Sequence, residues 1–93
     1  MKPIDLDFVL GSRYSRGVLI NLLGVSHRRF NQLKNTIDGA TGKALSWALR
    51  RLTESGLVEK LTEDEGVGYR LTAKGGSMAR VATDAETLRK RWE

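Results

Sequence analysis

Apolar side chains recur every three or four residues in four stretches of the chain, which is the spacing that places them on one face of a helix. These stretches predict helices over about 12–24, 27–36, 41–55 and 72–92. Each predicted helix has a hydroxyl side chain at its start, whose oxygen can accept a hydrogen bond from an N–H group of the first turn. These candidate N-caps are Ser12, Ser26, Thr41 and Thr72.

Two short apolar runs follow the third predicted helix and have the spacing of strands. The runs are 57–61 and 67–71, and the second alternates so that Val67, Tyr69 and Leu71 share one side. Because the polar link between the runs contains a glycine, they predict a β-hairpin. The order of elements predicts a mainly α (α+β) fold, a winged helix-turn-helix with a two-stranded β wing.

The length of the chain allows one small domain. The chain has 93 residues and a mass of 10.4 kDa, and no linker or low-complexity tract divides it. We therefore expect a single winged-helix domain over 1–93. Its helix-turn-helix covers about 27–56, its wing about 57–71 and its C-terminal helix about 72–92.

The third predicted helix, 41–55, has two chemically different faces. Leu45, Leu49 and Leu52 form a narrow apolar stripe that we expect to face the core. At about 100° per residue, the opposite side of the helix presents polar, basic and aromatic side chains to whatever lies outside the domain. These side chains are Lys43, Ser46, Trp47 and Arg50.

Positive charge is concentrated around the predicted helix-turn-helix. The chain has sixteen Lys and Arg against eleven Asp and Glu, a formal charge of +5. Residues 25–51 alone carry +5, whereas 1–24 carry +1 and 52–93 carry −1. Such a segment suits a polyanion, because neutralising phosphates releases condensed counterions. Composition leaves an alternative open: these residues form two basic helix faces that are exposed to solvent and bind no polyanion.

The composition excludes several classes of protein. There is no cysteine, which excludes disulfides, thiolate metal sites and cysteine nucleophiles. His27 is the single histidine, so no zinc cluster or catalytic set can be assembled around imidazoles. We therefore expect no enzymatic activity, no metal and no cofactor.

The apolar runs are too short for a membrane span and the first residues do not form a signal peptide, so we expect a cytoplasmic protein.

Four motifs along the chain match the pattern of one family. They are Gly11-Ser12-Arg13-Tyr14 at the first helix, Arg29-Phe30-Asn31-Gln32-Leu33 at the second, Ile37-Asp38-Gly39-Ala40-Thr41 before the third, and Tyr69-Arg70-Leu71-Thr72-Ala73-Lys74-Gly75 after the wing turn. With these motifs in this order, nearly the whole chain resembles the HxlR-type winged helix-turn-helix transcriptional regulators, relatives of the MarR group.

The resemblance implies a homodimer in which terminal helices pair and each helix 41–55 enters a major groove of double-stranded DNA. Members usually carry a cysteine before the first helix, and this chain has none, so the resemblance implies no thiol-based sensing here. Members usually carry glutamate where Gly68 stands, and we expect the glycine to loosen the second wing strand. The sequence identifies neither a small-molecule effector nor the sign of regulation.

Five residues of the third predicted helix are candidates for DNA contact. Lys43, Ser46 and Arg50 face outward, where a recognition helix meets base edges and phosphates. Thr41 and Gly42 stand at the start of the helix, where backbone N–H groups and the positive end of the helix dipole attract a phosphate. A solvated polar face is the alternative interpretation.

Three further residues are candidates for contact outside the domain. Arg28 and Arg29 stand at the predicted start of the second helix, which crosses the DNA backbone in this motif, so we expect them near phosphates. Trp47 points away from the core stripe, and an exposed tryptophan requires an explanation. It packs against a sugar or thymine methyl, or against a partner protein, or else the helix is rotated and Trp47 closes the core edge.

The last predicted helix carries an apolar stripe with a 3, 4 spacing over two heptads, which is typical of a helix–helix seam. The stripe packs either within its own domain or across a two-fold axis, and its burial against a second copy would supplement a small core. The stripe consists of Met78, Val81, Ala85, Leu88 and Trp92.

Together the patterns favour a sequence-specific, homodimeric regulator of transcription that binds double-stranded DNA. The acidic link Glu63-Asp64-Glu65 would be repelled by phosphates, so we expect the wing to add little to DNA affinity. The alternative is a winged-helix protein–protein interaction module that uses Trp47 and the acidic wing as its contact surface.

Overall fold

The first helix, α1, covers Arg13–Leu22 in the computed structural model and begins after Ser12, whose hydroxyl oxygen accepts from the N–H group of Ser15 at 3.3 Å. The structure describes residues 12–92, without the side chain of Glu65, and Gly11 of the first motif lies outside the described residues. The other elements are α2 (Phe30–Thr36), α3 (Gly42–Glu54), β1 (Val58–Leu61), β2 (Gly68–Leu71) and α4 (Ala73–Trp92).

The second helix begins at Phe30, so the prediction of a start near residue 27 with Ser26 as N-cap is wrong. The reason is tertiary: Arg28 lies in an extended segment that pairs with Tyr69 of the wing. The Arg28 N–H donates to Tyr69 O at 2.9 Å, and the Tyr69 N–H donates to Arg28 O at 2.8 Å. This antiparallel bridge holds residue 28 out of the helix, and Arg29 becomes the N-cap.

The wing is an antiparallel pair in which Val58 lies opposite Leu71 and Leu61 opposite Gly68. Its link contains a single 3-10 turn, Glu63–Glu65. Val67 was predicted to share a strand face with Tyr69 and Leu71, and this is wrong. Val67 precedes the strand, has a positive φ of 51° and is exposed.

Gly68 allows the wing to pack directly against the backbone of Arg28. A Cβ atom at this position would lie 2.5 Å from Arg28 O, which is closer than any side chain permits. Its φ of +130° also belongs to a region that side-chain-bearing residues avoid. The expectation that this glycine loosens the strand is therefore wrong, because its missing side chain makes room for the bridge to Arg28.

The third helix follows its predicted limits closely. Thr41 is the N-cap, and its hydroxyl oxygen accepts from the Ala44 N–H at 3.1 Å. The helix ends at Glu54, and Gly56 takes the left-handed conformation (φ 76°) that commonly follows a last turn. Its buried residues are Leu45, Ala48, Leu49 and Leu52.

The core lies where α1, α3 and α4 meet the inner side of the wing. Its fully buried members are mostly leucines, whose removal from water is the main favourable contribution to folding. Helix α4 contributes small residues, Ala79 and Ala82, and its N-cap Thr72 accepts from the Gly75 N–H at 3.1 Å. The large buried side chains are Val18, Leu19, Leu22, Leu33, Ile37, Leu45, Leu49, Leu52, Leu57, Val58 and Leu61.

None of the helices within residues 12–92 combines the length and the apolar character that crossing a bilayer requires.

Candidate nucleic-acid interface

The outer face of α3 is separated from the core by the geometry of the helix. Leu45 and Leu52 are completely buried and Leu49 nearly so, whereas Lys43 and Arg50 project from the opposite side into solvent. The helix is therefore oriented as its apolar stripe predicts, with its cations outward. The exposed outer-face side chains are Lys43, Ser46, Trp47 and Arg50.

Trp47 has 53% of its surface exposed, which excludes the interpretation that it closes the core. The guanidinium carbon of Arg51 lies 5.6 Å from the centroid of the Trp47 ring, a cation–π contact one helical turn away. Arg51 is half-buried, whereas more than half of the Trp47 surface remains exposed beside this contact. Sequence reasoning missed this pair, although an i, i+4 spacing of Trp and Arg on a helix was the available signal.

An open groove of about 580 Å³ lies along the outer face of α3. It brings together five of the residues predicted to contact DNA and adds Ala44, which the sequence analysis did not single out. Ala44 is half-buried and lies one turn before Trp47 on the helix. The groove is lined by Thr41, Lys43, Ala44, Ser46, Trp47 and Arg50.

The start of α3 presents backbone donors close to this groove. Thr41 satisfies the N–H of Ala44, and Gly42 is the first residue of the helix. A Cβ atom at Gly42 would have no neighbour within 4 Å, so the backbone is accessible there. Helix N-termini attract anions through such N–H groups and the helix dipole.

The two arginines before α2 have different environments. Arg29 is exposed, and its backbone N–H donates to Gln32 Oε1 at 2.8 Å. Arg28 is half-buried, and its Nε donates to the carbonyl oxygen of Asn21 at 3.2 Å, which ties its side chain toward the end of α1. Arg29 is therefore the one of the two whose side chain projects into solvent.

Acidic groups lie at the wing and at the end of α3. Glu63 and Asp64 are exposed in the wing link. Arg70 of β2 forms an ion pair with Glu59, the residue opposite it on β1. At the end of α3, Arg50 Nε lies 3.8 Å from Glu54 Oε1, an exposed i, i+4 pair worth only tenths of a kcal/mol.

The predicted seam of α4 lies on the surface of the domain. Val81, Leu88 and Trp92 are 48%, 58% and 80% exposed, and Ala85 is exposed as well. Met78, at the other end of the stripe, packs against the core of its own domain. The inward face of the same helix is formed by Gly75, Ala79 and Ala82.

A second cavity, of about 800 Å³, lies between α1 and the C-terminal half of α4. Inside it Arg16 Nε lies 3.1 Å from Glu86 Oε1, and both side chains are about four-fifths buried. This ion pair joins the two helices across the cavity, and no motif in the sequence indicated it. Within residues 12–92, no cluster of three or more acidic or histidine side chains is arranged to hold a metal ion.

The short helix α2, its turn, the outward-facing helix α3 and the antiparallel wing behind it together define a winged helix-turn-helix protein. The family model of the HxlR-like helix-turn-helix proteins matches residues 9–93. The chain therefore belongs to the HxlR-like family, a family of DNA-binding transcriptional regulators.

Two solved structures are similar to this chain. The crystal structure of quinone-bound YodB from B. subtilis is 27% identical with a TM-score of 0.71, over 91% of this chain and 90% of that one. A possible HxlR family transcriptional factor from Thermoplasma volcanium has the same fold, with 23% identity and a TM-score of 0.75 over 99% and 85% of the two chains. No curated protein matches the sequence.

Proposed function

We propose that this chain regulates transcription as a homodimer that binds a specific double-stranded DNA site, with α3 of each protomer in a major groove. The observation that carries the proposal is the outer face of α3, where Lys43 and Arg50 project from a helix whose leucines hold it to the core. Arginine and lysine on such a face pair with guanine edges or phosphates.

The charge distribution supports the same interface. Arg29 stands exposed before α2, and the start of α3 offers backbone N–H groups and a helix dipole beside Lys43. Groups of this kind fix the orientation of a helix-turn-helix on the DNA backbone, while the outer face of the second helix reads bases. In a dimer we expect the two α3 helices about 34–36 Å apart, matching two half-sites one helical turn apart.

The salt dependence of binding tests this proposal. Three exposed cations per protomer, Arg29, Lys43 and Arg50, give about six phosphate or base contacts in a dimer. We expect the affinity for duplex DNA from the promoter region upstream of its own coding sequence to fall about a thousandfold between 50 and 200 mM salt. Fluorescence anisotropy of labelled duplex across a salt series measures the slope, and a flat profile would contradict DNA binding.

The exposed stripe of α4 supports dimerisation. Burial of Leu88 and Trp92 in a seam would contribute about 1.5–3 kcal/mol for each side chain that is fully removed from water. Such a seam places the two α3 helices in one particle, as binding to a two-fold site requires.

Leu88→Glu is expected to convert the dimer to a monomer, because it places a charge in the centre of the seam. Light scattering should give a mass near 10.4 kDa for the variant and about twice that for the wild type. Thr87→Glu is the matched control: it adds the same charge to the neighbouring exposed residue, about 100° away around the helix. A wild-type mass of 10.4 kDa at all concentrations would contradict the dimer.

A protein–protein interaction module is the second candidate, and the exposure of Trp47 favours it. Tryptophan is enriched at the centres of protein interfaces, and the exposed Glu63 and Asp64 of the wing would supply separate acidic contacts. A surface centred on Trp47 would bind its partner with little dependence on salt. The salt series with duplex DNA distinguishes the two candidates, because only the regulator is expected to bind duplex with an affinity that falls as salt rises.

A further inference from the structure

Trp47 occupies a position where an apolar ring is flanked by cations. Its ring is more than half exposed on the outer face of α3, in the groove that also contains Lys43 and Arg50. Protein interfaces surround such an anchor with a rim of mixed polarity. Here the charged side chains that line the groove, Lys43 and Arg50, are both positive, and Glu54, the acid of α3, lies outside the groove and pairs with Arg50. The surroundings of Trp47 thus match a polyanion that carries apolar groups.

The Trp47 ring contacts neighbouring side chains of α3, which restrict its conformation. The guanidinium carbon of Arg51 lies 5.6 Å from the ring centroid and Arg51 is half-buried, so the ring has a cation–π partner on its own helix. Ala44, one turn earlier, is small and half-buried, and together with Trp47 it forms an apolar wall of the groove. A ring supported in this way loses little conformational entropy when a ligand group packs against it.

The major groove of DNA offers few apolar groups to such a wall. The base edges there present hydrogen-bond donors and acceptors, and the exception is the methyl group at C5 of thymine. The same group is present on 5-methylcytosine. The chemistry that fits Trp47 and Ala44 is therefore a 5-methyl group on a pyrimidine.

We infer that Trp47, with Ala44, reads the 5-methyl group of a pyrimidine in each half-site and is a specificity-determining residue. The inference rests on the proposed function, because it requires α3 to enter the major groove. It adds a base preference at one position of each half-site. Lys43 and Arg50, by contrast, supply affinity through contacts to phosphates or guanine.

Deoxyuridine substitution tests the inference, because it removes the methyl group and leaves the base-pairing edge of thymine unchanged. Wild-type protein first selects duplexes from a randomised library, and each thymine of a selected site is then replaced in turn by deoxyuridine. At one position per half-site we expect wild-type affinity to fall about fourfold, the equivalent of about 0.8 kcal/mol for one buried methyl group. Trp47→Ala should bind the thymine and deoxyuridine duplexes equally, and Trp47→Phe should keep part of the difference.

A second arm separates the methyl group from the rest of the thymine base. At the sensitive position the thymine is replaced by cytosine or by 5-methylcytosine, each paired with guanine. We expect the methylated duplex to bind wild-type protein about fourfold more tightly than the unmethylated one, and Trp47→Ala to show no difference.

The possible outcomes are distinct. If deoxyuridine leaves wild-type affinity unchanged at every thymine, the inference is overturned while DNA binding stands. The same conclusion follows if the Trp47→Ala variant is as sensitive to deoxyuridine as the wild type. A 5-methylcytosine duplex that binds no better than its cytosine counterpart contradicts a contact with the methyl group itself. If wild-type protein selects no duplex even at low salt, the proposed function fails and the inference fails with it.

Discussion

Lys43→Ala combined with Arg50→Ala is expected to lower the affinity for duplex DNA at least a hundredfold at about 0.1 M salt. Both side chains are exposed on the outer face of α3, so their truncation removes groups that the fold does not use for packing. A dimer loses four cations at once. A base-reading arginine is worth about 1–3 kcal/mol, and each lost phosphate contact makes the salt slope shallower by about one.

The measurement is fluorescence anisotropy across a salt series, with circular dichroism to verify that the double variant is folded. Arg80→Ala combined with Arg91→Ala is the matched control, because it removes the same charge from exposed positions on α4. We expect the control to bind within a few-fold of wild type. Equal affinities for the wild type and the Lys43→Ala/Arg50→Ala variant would refute the placement of α3 in the groove.

The orientation of α3 was predictable because one short segment contains all the information for it. Thr41 supplies the N-cap, Gly56 terminates the helix, and the spacing of the leucines determines which side faces the core. Once these features are fixed, the helical repeat dictates that Lys43 and Arg50 face outward. Local propensity, capping and hydrophobic pattern agree with one another here, and such agreement makes prediction from sequence dependable.

The start of α2 could not be predicted because a distant segment determines it. The residues from Ser26 onward have a helical pattern, but Arg28 is held extended by hydrogen bonds to Tyr69, far along the chain. The same contact explains Gly68, whose missing side chain provides room for Arg28 O. A pairing across this sequence distance leaves no periodic signal, so the pattern favoured a helix that tertiary structure prevents.

Part of the interface depends on neighbours that the sequence pattern did not indicate. The outward direction of Trp47 followed from its angle on the helix, and the structure excludes a core position. The groove formed with Ala44 and the support from Arg51 depend on side-chain conformations, which periodicity does not determine.

One face of helix α4 could be predicted from the sequence and the other could not. Its outer stripe of large apolar residues, including Leu88 and Trp92, was evident from the spacing. Its inner face, Gly75, Ala79 and Ala82, was not, because small residues give a weak hydrophobic pattern. Small size is what the packing requires, since these residues allow the helix backbone to approach Leu57 and α1 closely.

Gly75→Ala is expected to lower the free energy of unfolding by about 3 kcal/mol or more, which would reduce Tm by about 15 °C in a domain of this size. A Cβ atom on Gly75 would lie 1.8 Å from Leu57 O, so the start of α4 or the residue before β1 must move. That movement would disturb two hydrogen bonds in which Thr72 takes part. Its N–H donates to Leu57 O at 3.1 Å, and its hydroxyl donates to Gly56 O.

Gly76→Ala is the matched control, made one residue later in the same turn of α4. A Cβ atom there would have no neighbour within 4 Å, and Gly76 has no positive φ. Alanine should therefore raise the free energy of unfolding by about 0.5–1 kcal/mol, because it loses less backbone entropy on folding than glycine. Thermal unfolding followed by circular dichroism measures both variants. Equal Tm values for the two would contradict the close approach of α4 to Leu57, whereas opposite shifts are expected because only Gly75 faces the Leu57 carbonyl.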